Sequence, residues 1–132
     1  MLLYLSCNSN EIASLNLSRN RQLISLYCQN NKISQLNLSN LDKLEEFACS
    51  DNRLTHLDVS ANSRLISLYC HNNQLLTLDV VGAVKLAELS CANNRITELD
   101  LSQSIKLRDI DVSGNPINDL DMTRTEISKH LH

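Results

Sequence analysis

Apolar positions along the chain recur in an order that neither a lone helix nor a lone strand explains. Between Leu23 and Lys43 they fall at Leu23, Leu26, Cys28, Ile33, Leu36 and Leu38, and the spacing restarts every 21 residues. The polar positions keep the same interval: Asn10, Asn31, Asn52, Asn73, Asn94 and Asn115 form one series, and Cys7, Cys28, Cys49, Cys70 and Cys91 form another. A strict period over the whole chain means one structural unit copied along an axis. The unit reads Leu-x-x-Leu-x-Cys-x-x-Asn-x-Leu-x-x-Leu-Asp-Leu-Ser followed by four variable residues. Copies occupy 2–22, 23–43, 44–64, 65–85, 86–106 and 107–127, and 128–132 read as a partial repeat or a cap.

Within the unit, Leu26-Tyr27-Cys28 alternates with period two, which predicts a short strand with one buried face. A second alternation, Leu36-Asn37-Leu38, lies on the return side of the coil. No 3.6-residue period separates them, so the return side should be extended or turn-like, with little or no helix. Stacked coils turn each column into a ladder with rungs about 4.8 Å apart, the spacing of hydrogen-bonded strands. The prediction is a single solenoid domain over 1–132, mostly β, with a parallel sheet on its concave side. One Phe, no Trp and 42% hydrophobic residues make its core aliphatic.

This pattern resembles the leucine-rich-repeat family, an α/β-class fold, and within it the bacterial 21-residue class called IRREKO, in which Cys replaces the third apolar residue. The resemblance covers nearly the whole chain. It implies a parallel concave sheet, short extended convex segments, an inward structural Asn in every repeat and a tendency to bind proteins. Bacterial members include surface-interaction proteins and effectors. Fold alone does not fix function.

The Cys column could be read as a metal thiolate or a disulfide relay. Position 112, where a sixth Cys would stand, is Val, so the column asks for volume rather than sulfur chemistry. Each Asn of its column can give and accept hydrogen bonds at once, which suits a sharp turn that would otherwise bury unpaired backbone groups. Ser18, Ser39, Ser60, Ser102 and Thr123, with Val81 as the exception, should place hydroxyls that cap the convex turn. Beside them Asn16, Asn37, Asp58, Asp79, Asp100 and Asp121 suggest either local Asx turns or a divalent cation between coils, and the two Asn favour the turns. Lys43, Arg64, Lys85 and Lys106 make a basic edge that would suit phosphates or an acidic partner, against the commoner reading of a solvated loop edge. No cofactor and no metal site is expected.

The outward strand positions carry the candidate binding surface: Tyr4, Tyr27, Gln29, Glu46, Tyr69, His71, Glu88, Asp109 and Asp111. All three tyrosines of the chain are among them. Tyr27 and Tyr69 share a column with Ala48 between them, so their rings should stand about 10 Å apart over a shallow floor. Tyrosine is enriched at interfaces because it offers apolar area and a hydroxyl at low entropic cost. The strands of the last two coils carry acids and no base. Together these predict a protein partner that is basic or amphipathic, with the tyrosines as anchor and the acids as a separate source of attraction.

A net charge of −3 and a pI of 5.7 recommend neither nucleic acid nor an anionic membrane. The N-terminal residues lack the basic and apolar runs of a signal peptide, and reduced thiols suit a cytoplasmic setting, with a specialised secretion route still compatible. Enzymatic activity is not expected, because only His71 of the four histidines falls on the concave sheet and the Cys column points away from it. Neither end shows a convincing polar cap, so end-to-end self-association is expected. The alternative to a binding module is an uncapped structural fragment of a longer array with no independent function.

Overall fold

A computed structural model describes residues 1–127; the expected partial repeat or cap at 128–132 lies outside the described residues. Strands β1 (Tyr4–Ser6), β2 (Ser25–Tyr27), β3 (Glu46–Ala48), β5 (Ser67–Tyr69), β7 (Glu88–Ser90) and β8 (Asp109–Asp111) form one six-stranded sheet in the order β1-β2-β3-β5-β7-β8. Every pairing is parallel, and each residue faces the one 21 positions later, as Leu5 faces Leu26 and Leu26 faces Phe47. On the return side, β4 (His56–Asp58) and β6 (Thr77–Asp79) pair in parallel as a second sheet. The described residues contain almost no helix, so the fold is a mostly β, parallel-sheet solenoid.

The core runs down the middle of the stack. Leu23, Leu26, Cys28, Ile33 and Leu38 of the second coil are all at most 2% exposed, and their counterparts fill the coils that follow. Each fully buried leucine contributes about 2 kcal/mol by leaving water. A further inward position falls among the residues read as variable, which corrects that part of the unit. Leu41, Asn62, Ala83, Ser104 and Thr125 are fully buried, with Asn20 half-buried at the same place in the first coil. From this column a tight turn leads into the next strand: Leu23, Leu44, Leu65, Leu86 and Leu107 each donate to the carbonyl three residues back. Chemically diverse residues share the column because the turn fixes the backbone, and the polar ones add bonds of their own: Asn62 Nδ2 donates to the Leu38 and Leu41 carbonyls and the Thr125 hydroxyl to that of Met122.

The Asn column does more than expected within a coil and reaches further. Asn52 Nδ2 donates to the carbonyls of Cys49 and Ser50 in its own coil, at 3.1 and 3.2 Å, and to Cys28 of the preceding coil at 3.0 Å. Its Oδ1 accepts the Ile33 N–H of the preceding coil at 3.0 Å. Asn31, Asn73, Asn94 and Asn115 repeat this pattern. The amides therefore reach back to backbone and do not bond one another. Asn10, in the first coil, is exposed, and among the described residues its amide donates to the carbonyls of Cys7 and Asn8.

The side-chain ladder lies one residue earlier instead. Asn30 donates to Ser9, Asn72 to Asp51 and Asn93 to Asn72. These five residues share φ between 57° and 59°, with Gly114 at 71° in the sixth coil. Asn, Asp and Gly tolerate this left-handed conformation best, which is why they fill the column.

The convex Asx residues act locally. The Asp58 carboxylate accepts the Ser60 N–H at 2.8 Å, and Asn16, Asn37, Asp79, Asp100 and Asp121 hold the residue two places on in the same way. The bond is to backbone, which corrects the expected role of the hydroxyl column and explains why Val81 is accepted there. Hydroxyl donation is a supplement in some coils, as from Ser39 to Asn37 at 2.7 Å.

Candidate functional site

The concave sheet presents a different set of outward side chains in each coil. Inward strand residues are held by packing, whereas the outward ones on either side of them are released from that constraint. Tyr4 is 59% exposed and Tyr69 36% exposed, Tyr27, Gln29, His71 and Glu88 are half-buried, and Glu46, Asp109 and Asp111 are exposed. None of the nine residues proposed from the sequence is fully buried, although the side-chain oxygen of Gln29 is covered.

Their geometry departs from the expectation in three ways. First, the tyrosines are not independent of the acids. The Tyr27 hydroxyl donates to Glu46 and the Tyr69 hydroxyl to Glu88 at 2.7 Å, each reaching forward into the next strand of the sheet. Those carboxylates raise the phenol pKa values, that of Tyr27 to about 12, because a hydrogen bond to a carboxylate favours the protonated phenol. Anchor and charge therefore form coupled pairs rather than separate contributions. Second, the floor between the two tyrosines is closed, because Ala48 is only 3% exposed. With Ala48 covered, the two rings present no open slot between them. Tyr4 joins them, its ring centroid 5.5 Å from that of Tyr27 at a tilt of 48°.

Third, the last two strands are not free of basic residues in their surroundings. Arg108, which precedes β8, lies 3.8 Å from Glu88. Glu88 thus serves Tyr69 and Arg108 together, and the unneutralised charge moves to Asp109 and Asp111. The Asp111 carboxylate accepts from the N–H and hydroxyl of Ser113, at 3.0 and 2.6 Å, and these bonds hold its pKa below the ordinary value. Asp111 therefore stays ionised down to lower pH than a free aspartate. His71 Nδ1 lies 3.3 Å from the Ser90 hydroxyl, which joins the fourth and fifth coils across the same face.

The Cys column points away from this surface. Cys28, Cys49, Cys70 and Cys91 are fully buried and unbridged, and Cys7 in the first coil is half-buried. Burial pushes all five thiols up from an ordinary value of 9.0, Cys28 and Cys91 to about 12. A protonated, covered thiol is inert. Native protein is expected to react with a water-soluble thiol reagent at Cys7 first, and at the other four only on unfolding. Thiol counting with and without urea checks this, and rapid labelling of Cys49 or Cys70 in native protein would contradict it. Among the described residues no group of His, Cys, Asp and Glu is placed to hold a metal ion.

No protein-family model matches the chain, nor does any curated protein sequence. Solved structures do resemble it. The functional domain of InlJ from Listeria monocytogenes, described as including a cysteine ladder, is 34% identical over 96% of this chain, with a TM-score of 0.92. A leucine-rich-repeat protein of Leptospira interrogans is 27% identical over 89%, with a TM-score of 0.83. An internalin of Listeria monocytogenes, InlF, shares the fold at 24% identity, with a TM-score of 0.78 over 89%. The chain spans 28%, 32% and 37% of those three chains. With its register and its Cys and Asn columns, this similarity makes the fold a leucine-rich-repeat solenoid.

Proposed function

We propose that the chain is a protein-recognition module that meets a basic or amphipathic partner through its concave sheet. The observation that carries this reading is the run of tyrosines on one face, each of Tyr27 and Tyr69 hydrogen-bonded to a carboxylate, beside the exposed Asp109 and Asp111. A phenol fixed by a carboxylate has lost rotamer freedom before the partner arrives, which lowers the entropic cost of binding. The leucine-rich-repeat fold supports a binding role over catalysis. Effector or surface-interaction roles and the IRREKO class remain finer readings of the same resemblance. A reducing, cytoplasmic setting suits the unbridged thiols.

Two sets of substitutions test the proposal on a partner captured by the immobilised chain. Tyr69→Ala is expected to cost about 2 kcal/mol of affinity, mostly as faster dissociation, because a central aromatic is a typical hot spot. Asp109→Asn with Asp111→Asn should slow association and flatten its decline with salt. Should both sets leave the kinetics unchanged, the concave face is not the working surface.

A further inference from the structure

A second surface lies on the flank where each coil turns into its strand. The turn closed by Leu65 N–H to the Asn62 carbonyl puts Ser63 and Arg64 at its tip. The equivalent turns from Ala83 to Leu86 and from Ser104 to Leu107 put Val84-Lys85 and Ile105-Lys106 at theirs. Central turn residues cannot face the core, so these side chains stand out from the rod. Val84 is 40% and Ile105 52% exposed, and Ile66, two residues beyond Arg64, is 39% exposed. The tips at Val84-Lys85 and Ile105-Lys106 therefore each bring an exposed base beside an exposed aliphatic side chain, and Arg64 carries the bases one coil further, with Ile66 two residues beyond it. Ion pairs among the described residues join Lys32 to Glu11 and Arg108 to Glu88, and these three bases are in neither. Lys43, the fourth member of the basic edge, differs: it is half-buried and hydrogen-bonded to Gln22.

We propose that these tips form a docking surface for an acidic segment of a partner protein that carries aliphatic side chains. Opposite charge would bring the segment to Arg64, Lys85 and Lys106, and burial of Ile66, Val84 and Ile105 would hold it. The width of the stripe selects a polypeptide over a bilayer. The column of Val84 and Ile105 holds Asp42 in the second coil and Glu126 in the sixth, so bases and aliphatic side chains coincide over only about 10 Å of sheet. A single segment lying across three coils matches that width, whereas a flat membrane extends well beyond it. The stripe is independent of the concave tyrosines.

The test is fluorescence anisotropy with a labelled peptide of alternating glutamate and leucine, its glutamine-leucine counterpart, and phosphatidylserine vesicles in a parallel sedimentation assay. The glutamate peptide should bind, the glutamine peptide should not, and added salt should weaken the complex. Val84→Ser with Ile105→Ser, and separately Lys85→Gln with Lys106→Gln, should each lower affinity about tenfold or more. Tyr69→Ala should leave it unchanged, which separates this surface from the concave one. No binding of the glutamate peptide, or binding indifferent to both pairs of substitutions, would overturn the proposal. Vesicle binding that the same substitutions abolish would overturn it in favour of a lipid surface.

Discussion

Alkaline conditions are expected to unfold this protein through its thiols. Cys28, Cys49, Cys70 and Cys91 are buried with pKa values raised from 9.0, those of Cys28 and Cys91 to about 12. A group raised in the folded state contributes stability that is present below its unfolded value and lost as pH rises toward its folded one. The window therefore opens near pH 9 and extends toward 12. By about pH 10 each such thiol has cost roughly 1.4 kcal/mol relative to neutral pH, because the unfolded chain ionises it and the folded chain cannot. Four of them together cost about 6 kcal/mol, comparable with the whole stability of a small domain, about 5–15 kcal/mol. Urea melts between pH 7 and 10.5 check this. Cys49→Val supplies the control: Val112 already occupies the column, so the swap should be tolerated at neutral pH with a loss of less than about 1.5 kcal/mol. It should also reduce the alkaline loss by about one thiol's share. A variant as sensitive to alkali as the parent would mean that other groups set the transition.

The second large effect is expected at Asn52. Its amide makes three donations and one acceptance, two of them to the preceding coil, at 8% exposure. Asn52→Ala leaves the Cys28 carbonyl and the Ile33 N–H without this partner in a site closed to water, which should cost about 3 kcal/mol. Asn10→Ala removes only bonds within an exposed first coil and should cost about 0.5 kcal/mol. The contrast is the informative quantity, since both residues hold the same position in the repeat. Equal losses in urea melts would show that the column stabilises each turn separately and does not tie coil to coil.

Much of this architecture is legible in the sequence because the period converts weak local signals into columns. A single Cys or Asn says little, but at a constant interval each becomes a ladder whose neighbours are known. The sheet, the inward Cys and Asn columns, the local convex Asx turns and the outward residues all follow from that step. Columns defined by backbone rather than side chain are harder to see. Asn20, Leu41, Asn62, Ala83, Ser104 and Thr125 share nothing chemically, and only the turn that buries them makes them equivalent. The left-handed column of Ser9, Asn30, Asp51, Asn72, Asn93 and Gly114 did leave a signal, its wealth of Asn, Asp and Gly, overshadowed by the adjacent invariant Asn.

Side-chain directions on the concave face were not legible. Tyr27 and Glu46, or Tyr69 and Glu88, stand 19 residues apart, diagonally across two strands. Whether they meet depends on which rotamer the tyrosine takes, and periodicity carries no information about that. The same choice pairs Glu88 with a phenol as well as a guanidinium. Acidity predicted from composition alone therefore overstates what a partner would meet, and Asp109 and Asp111 become the main attractive charges.

Fluorine NMR of protein carrying 3-fluorotyrosine tests the concave assignment most directly, because all three tyrosines of the chain lie on that face. Addition of a captured protein partner should shift or broaden the Tyr27 and Tyr69 resonances in proportion to the fraction bound. A partner whose stoichiometric binding survives Lys85→Gln with Lys106→Gln, and which still leaves all three resonances unmoved, would contradict the account.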